Sequence, residues 1–292
     1  MTGILLIDKP AGWTSNDVVQ KLRGLLHERR IGHAGTLDPM ATGLLTVFVG
    51  RATRAVEFAE ADAKRYLAAL RLGLITDTED ITGTILGYTD TSVSQTELKQ
   101  VLEQFQGEIR QIPPMYSAVK VNGTRLYKLA RRGETVERAE RTVVIHSLEI
   151  LGREDGDWIL DIRCSKGTYI RTLCRDIGDA LGCGGCMAAL RRTEAGRFAV
   201  DEAYTLEQIA EAAEGGTVER LLIPTDILFA DYPSVTVSAE EEKRVRNGNS
   251  FRLHLPDTVL RLYSDRGEFL ALARVTEGEC NTIKSFYEVS TV

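Results

Sequence analysis

The chain has 292 residues, 43% of them hydrophobic, and a formal net charge of -6. That is enough apolar sequence for one sizeable core plus a second, smaller domain, so a disordered or fibrous chain is excluded. The net charge excludes a uniformly basic nucleic-acid binder, while leaving local basic patches open.

The N-terminus reads MTGILLIDKP, an apolar run broken at once by Asp8 and Lys9. No signal peptide or membrane span is read there, and a cytoplasmic location is expected. Gly3 to Ile7 is a strand, Asp8 to Trp13 a turn, and Thr14 to Asp17 the start of a helix whose apolar positions are Val18, Val19, Leu22, Leu25 and Leu26.

The helix ends in a basic tail, Arg29 and Arg30, that leads into GHAGTLDPMATGLL, Gly32 to Leu45. Gly32, Gly35 and Gly43 allow positive φ and close approach of a ligand, and Pro39 biases Asp38 toward an extended backbone that presents its carboxylate. The bland alternative is a surface turn capped by an aspartate. A phosphate loop is disfavoured, because no Lys-Ser or Lys-Thr pair follows the glycines.

Leu44 to Val49 reads as a buried strand, Arg51 to Phe58 as a short helix, and KRYLAALRLGL from Lys64 as an alternating strand with Tyr66 near its start. Thr76 to Gly83 (TDTEDITG) carries three carboxylates, but their spacing misses the calcium-loop template, so a solvated turn is expected. Ser94 and Glu97 form a capping box ahead of an amphipathic helix. From Arg110 to Arg141 eight basic residues face three acidic ones, a net +5. With Tyr127 among its cations, this stretch reads either as an RNA-facing finger or as an ordinary charged surface.

Thr142 to Leu151 and Trp158 to Cys164 read as strands, and Ile170, Leu173, Cys174, Ile177 and Leu181 as one buried helical stripe. Arg171 then sits at the start of that helix, where a cation opposes the dipole unless an anion compensates it. Leu190 to Phe198 (LRRTEAGRF) is expected to be a basic turn, and Thr205 with Gln208 to cap a further helix. Five cysteines, an odd number, are read as reduced thiols. Cys183 and Cys186 form a CxxC, but no further ligands follow at zinc spacing, so packing is favoured over metal binding. From Tyr232 the texture changes to short strands, one capped helix (Ser238, Glu241) and a hairpin joining Val259–Tyr263 to Glu268–Val275.

Six stretches in order, GILLIDKPAGWTS, GHAGTLDPMATGLL, KRYLAALRLG, NGTRLYKLARRG, CSKGTYIRTLCRDIG and LRRTEAGRF, resemble the TruB-type tRNA pseudouridine synthases. The resemblance covers essentially the whole chain. It implies an α+β fold: a mixed, largely antiparallel sheet in a catalytic domain over residues 1–231, an RNA-binding insertion at about 114–141, and a small PUA-like β-barrel over 232–292.

It also implies a reaction, the isomerisation of uridine 55 in the tRNA T-loop to pseudouridine, with no cofactor and no metal. Asp38 matches the family's catalytic carboxylate, Arg171 its ion-pair partner and Tyr66 the tyrosine that stacks on the target base. Leu190 matches an apolar wall of the base pocket, and His33 the ring that fills the gap left by the flipped base. Lys64 and Arg131 are carried over as substrate-binding residues. Attack of Asp38 on the sugar, attack on the base, and removal of a sugar proton all stay open.

The expected partner is the T-arm of tRNA, bound by a monomer without a guide RNA. The complete insertion and the lack of long charged extensions favour this stand-alone form over a guide-dependent synthase. An RNA-folding factor whose finger grips the tRNA elbow is the alternative from the binding-module class.

Overall fold

The computed structural model describes residues 1–60, 63–121 and 123–287. Asn122 of the basic segment and the last five residues of the expected terminal domain lie outside the described residues.

In chain order the first elements are β1 (Gly3–Lys9), α1 (Ser15–Leu26), β2 (Ile31–Ala34), β3 (Thr42–Val49), α2 (Val56–Glu60), β4 (Lys64–Leu72), β5 (Leu74–Thr76) and β6 (Ile85–Tyr88). There follow α3 (Gln95–Leu102), β7 (Gly107–Gln111), β8 (Lys120–Val121), β9 (Thr124–Arg125), α4 (Leu126–Ala130), β10 (Arg141–Glu154), β11 (Asp157–Cys164), α5 (Ile170–Ala180), β12 (Gly185–Ala195), β13 (Phe198–Ala199) and α6 (Leu206–Glu214). The chain closes with β14 (Ser234–Thr236), α7 (Ala239–Arg246), β15 (Phe251–Arg252), β16 (Thr258–Tyr263), β17 (Phe269–Thr276) and β18 (Glu279–Ser285). Among the described residues, no helix is long and apolar enough to cross a membrane.

Four of the helices start on side chains legible in the sequence. Thr14 with Asp17, Ser94 with Glu97, Thr205 with Gln208 and Ser238 with Glu241 each form a reciprocal capping box. Each box satisfies two backbone N–H groups that a helix start leaves without partners.

The main sheet runs β1-β3-β12-β4-β11-β10-β7, with β2 added on β3 and β13 on β12. Its pairings are antiparallel except where Arg191 and Arg192 of β12 run parallel to Thr42 and Gly43 of β3. The sheet is therefore mixed and largely antiparallel, as expected.

Strands β1 and β3 are apolar on both faces because both are covered. Leu5, Ile7, Leu45 and Val47 pack with α1 and α6, while Ile4, Leu6, Leu44 and Phe48 pack toward Phe229, Leu272 and Phe286. In the central strands Ala68, Leu70, Leu160 and Ile162 pack against α3 and α5. A second, five-stranded sheet, β14-β16-β17-β18-β15, has its own core around Val245, Leu260, Leu270 and Ala273.

Three local expectations change. The start of the glycine-rich stretch is a strand, with Gly32 and His33 paired to Phe48 and Val47, because β3 offers an open edge there. LRRTEAGRF is no basic turn: its first half completes β12, between β3 and β4. Its arginines are tolerated because Arg191 meets Asp8 and Arg192 meets backbone carbonyls. Of the three acids in the TDTEDITG turn only Asp77 is solvated; Glu79 and Asp80 are buried.

Candidate active site

Arg171, the second residue of α5, is 5% exposed at its side chain. Its Nε lies 2.9 Å from Asp38 Oδ2, and its Nη2 donates to Asp38 Oδ1 at 3.2 Å. Nη1 donates to the Thr78 carbonyl at 3.1 Å, Nη2 also reaches the Tyr116 carbonyl at 2.9 Å, and the Asp80 carboxylate stands 3.8 Å from Nε. One guanidinium thus joins α5 to the β2–β3 connection, the β5–β6 connection and the start of the basic segment. Tyr169 caps α5 without a side-chain bond, so the carboxylates of Asp38 and Asp80 supply the negative charge that a helix N-terminus favours. This resolves the awkward position of Arg171 in the sequence.

Burial pushes the Asp38 carboxyl above its ordinary value; Arg171 pulls it back, the Asp80 charge adds to the rise, and Lys9 opposes it. The loop around Asp38 is held from both sides. Ser15 Oγ accepts from Leu37 N at 2.9 Å and donates to Leu37 O at 3.1 Å, and Gly12 N donates to Pro39 O at 2.8 Å. The Lys9 ammonium, fully buried, donates to the carbonyls of Pro10, Trp13 and Pro39 at 2.8, 2.7 and 3.3 Å. Burial draws the Lys9 pKa down to about 8, against the pull of Asp38.

The fork between β2 and β12 is filled by Arg192, whose Nε donates to Leu44 O at 2.6 Å and Nη2 to Gly35 O at 2.9 Å. Two glycines make room for it. At Gly43 (φ +97°) a Cβ would lie 2.2 Å from the Arg192 carbonyl oxygen, and at Gly35 (φ +68°) 3.1 Å from its Nη1.

Tyr66 lies opposite Arg192 in the β4–β12 pairing. Burial raises the pKa of the Tyr66 hydroxyl; Arg192 opposes this and the Asp38 charge adds to it. Leu190 is buried in the same apolar cluster as Tyr66, Leu37, Met40 and Ala41, so the flanks of Asp38, the tyrosine ring and the leucine converge.

His33 lies on β2, not in a turn. Its pKa is lowered, first by burial and then by Arg192, and its Nδ1 has no hydrogen-bond partner among the described residues. Lys64 is buried at the start of β4, in register with Cys164 and Ala195, and therefore sits inside the sheet layer and not on an open surface. Arg131 is exposed just after α4, away from the Asp38 contacts, with its guanidinium 5.5 Å from the Tyr127 ring centre.

Sequence reasoning passed over Thr78, Asp80, Lys9 and Gln111. Gln111 Oε1 accepts from Tyr169 N at 3.0 Å and its Nε2 donates to Tyr169 O at 3.2 Å, which locks the N-terminus of α5 to β7. A signal for Asp80 was present: Thr78 and Thr82 flank it, and both hydroxyls donate to its Oδ1, at 2.9 and 2.6 Å.

The five cysteines are free and buried, and no group of His, Cys, Asp or Glu among the described residues is arranged to hold a metal ion. An open cavity of about 600 Å³ touches Met40 and Leu190 but is otherwise lined by residues such as Leu67, Ala69, Leu151 and Ile159, without Asp38, Tyr66 or Arg171.

A carboxylate held by a bidentate guanidinium and flanked by an aromatic ring and an apolar wall is equipped to act as nucleophile or base on a flat, uncharged ring. The N-terminal domain of the TruB family of pseudouridylate synthases matches residues 23–170, and the C-terminal domain of tRNA pseudouridylate synthase B matches residues 171–230. The chain belongs to the TruB family. It is 46% identical over 260 residues to the tRNA pseudouridine synthase B of Alkaliphilus oremlandii, covering 89% of this chain and 86% of that one. To the tRNA pseudouridine synthase B of Clostridium kluyveri it is 40% identical over 292 residues, covering 98% and 100%. Among solved structures, a chain of a Cbf5-Nop10-Gar1 complex superposes with a TM-score of 0.74 at 26% identity, over 98% of this chain and 85% of that one. A chain of an H/ACA RNP bound to a substrate RNA containing 2'-deoxyuridine gives 0.73 at 24% identity over the same shares, a likeness of fold. The TruB-family enzyme is thus an α+β pseudouridine synthase with a PUA-like terminal sheet.

Proposed function

We propose that this enzyme converts uridine 55 in the T-loop of tRNA to pseudouridine, with Asp38 as the catalytic carboxylate. The observation that carries the reading is the pair of contacts from Arg171 to the two Asp38 oxygens, 2.9 and 3.2 Å, beside Tyr66 and Leu190. Relatives named tRNA pseudouridine synthase B, 40% and 46% identical over nearly the whole chain, support the substrate.

In this reading the target base is flipped out of the T-loop at a cost of about a few kcal/mol. The neutral His33 ring takes its place in the stack. The N1–C1′ bond breaks, the base turns in the site, and C5 bonds to C1′; the C5 proton leaves and N1 gains one, so the isomerisation balances without an added oxidant or reductant. Arg171 keeps Asp38 ionised and aimed, and Tyr66 stacks on the ring and assists removal of the C5 proton. The exposed cations of the insertion, Arg131 among them, hold RNA phosphates, and the buried Lys64 supports the substrate-facing end of β4. We take residues 1–231 as the catalytic unit, with 114–141 inserted, and 232–292 as the RNA-binding unit, acting as a monomer.

The test is pseudouridine mapping on an unmodified tRNA transcript with wild-type protein and Asp38→Asn. Product at the T-loop uridine with wild type alone, and retained tRNA binding by the variant, is the expected result; strong turnover by Asp38→Asn overturns the assignment. The likeness to a Cbf5-Nop10-Gar1 chain favours a second reading, dependence on guide RNA or partner proteins. Turnover of the bare transcript by the purified chain excludes it.

A further inference from the structure

Next to Asp80 stands a buried carboxylate that the proposed chemistry leaves unused. Glu79 reaches from the β5–β6 connection to α5, where its Oε2 accepts from Thr172 Oγ1 at 2.7 Å and its Oε1 pairs with Arg175. These are the residue after Arg171 and the residue one turn beyond it. The Glu79 backbone is held as well. Its carbonyl accepts from Met187 N at 3.0 Å, and Ile81 N donates to Met187 O at 3.0 Å, stitching the loop to β12 three residues before Leu190. Glu79 sits at φ 64°, a left-handed conformation that costs a non-glycine residue about 1 kcal/mol or more. Burial also raises the pKa of its carboxyl, against Arg175 and Thr172. Two unfavourable conditions, strain and burial of a charge, are met by one side chain whose contacts all lie on the helix that presents Arg171.

We propose that Glu79 is a positioning residue for Arg171. Neighbouring loop residues grip neighbouring helix residues: Thr78 O and Asp80 meet Arg171, while Glu79 meets Thr172 and Arg175. The Glu79 tie fixes the distance between loop and helix, and that distance decides whether Thr78 O and Asp80 hold the guanidinium square to Asp38. Small errors in such geometry are amplified at the reacting centre. Arg175 also contacts Asp176 at 2.6 Å and Asp179 at 3.9 Å, so α5 keeps a partner for that cation when Glu79 is lost.

The inference rests on the Asp38–Arg171 reading, and its test separates the two. Glu79→Gly removes the carboxylate and relieves the left-handed strain, and Glu79→Gln keeps the shape and the Thr172 hydrogen bond without the charge. Single-turnover pseudouridine formation and tRNA Kd are measured for both, for Arg171→Lys, for the double variant Glu79→Gly with Arg171→Lys, and for Asp38→Asn. The expected result is a single-turnover rate lowered roughly tenfold or more in Glu79→Gly, with Kd unchanged and no further slowing when Glu79→Gly is added to Arg171→Lys. Glu79→Gln falls between that variant and wild type. A wild-type rate in Glu79→Gly, a loss confined to Kd, or full additivity with Arg171→Lys overturns the proposal. If Glu79→Gly does not fold, the same three outcomes are read from Glu79→Gln. Strong turnover by Asp38→Asn would instead overturn the underlying reading, whatever Glu79 does.

Discussion

Asp38 is subject to opposing demands. The proposed chemistry needs the ionised form, burial disfavours that form, and Arg171 restores part of it. The net shift is upward from 3.8, so the acidic limb of the rate profile is expected above the ordinary aspartate range. Because Arg171 lowers the Asp38 pKa, removing its charge lets Asp38 hold its proton to higher pH. Arg171→Met should move the acidic limb upward, whereas Arg171→Lys keeps a charge, loses the bidentate fork, and should slow turnover by about ten- to a hundredfold. Single-turnover rates across pH check both, and an unmoved limb in Arg171→Met would refute the electrostatic role. The helix-start problem at Arg171 was legible as a demand for an anion, and the resemblance named Asp38; the second carboxylate, Asp80, was not foreseen.

At the scale of elements, the parallel pairing of β3 with β12 sets Gly43 directly against Arg192. Gly43→Ala would place a methyl 2.2 Å from the Arg192 carbonyl oxygen, at a φ that L residues rarely adopt. Backbone must shift there, and a loss of roughly 3 kcal/mol or more is expected, read as a lowered denaturation midpoint. Gly12, also at positive φ but with open space around it, should tolerate alanine with a smaller loss.

The basic segment makes a different prediction. Arg131 is exposed, with its guanidinium over the Tyr127 ring, so Arg131→Ala should weaken tRNA binding and reduce the salt slope of log Kd by about 0.7 to 0.9. An unchanged slope would remove Arg131 from the RNA-binding surface.

For the whole molecule, an aromatic cluster connects the two sheets. Phe229, 2% exposed, lies 5.1 Å from Phe58, 6.0 Å from Phe269 and 5.7 Å from Phe286, centre to centre. The last two residues belong to the terminal sheet or directly follow it, and Phe58 to α2. Phe229→Ala should destabilise by about 3–5 kcal/mol and broaden or split thermal unfolding, as the terminal sheet loses its hold on the main domain. A single, equally sharp transition at the wild-type midpoint would show that the cluster does not couple them.

What the sequence determined by itself was local: four capping boxes, the buried runs of β1 and β3, the stripe of α5, the terminal hairpin, and a glycine-rich loop presenting Asp38. Each depends on residues within a few positions, where helix and strand periodicity speak directly. The order of motifs added the family. Beyond the Asp38–Arg171 pair that the resemblance implied, only the tertiary structure decided which charges are buried and with whom. Asp38 meets Arg171 across 133 positions and Glu79 meets Thr172 across 93, so no local pattern could distinguish these carboxylates from solvated ones. The same holds for LRRTEAGRF. Two adjacent arginines forecast a surface turn until Asp8, Leu44 and Gly35 arrive from distant segments to satisfy them, because a buried charge is stable only when the whole fold supplies its partners.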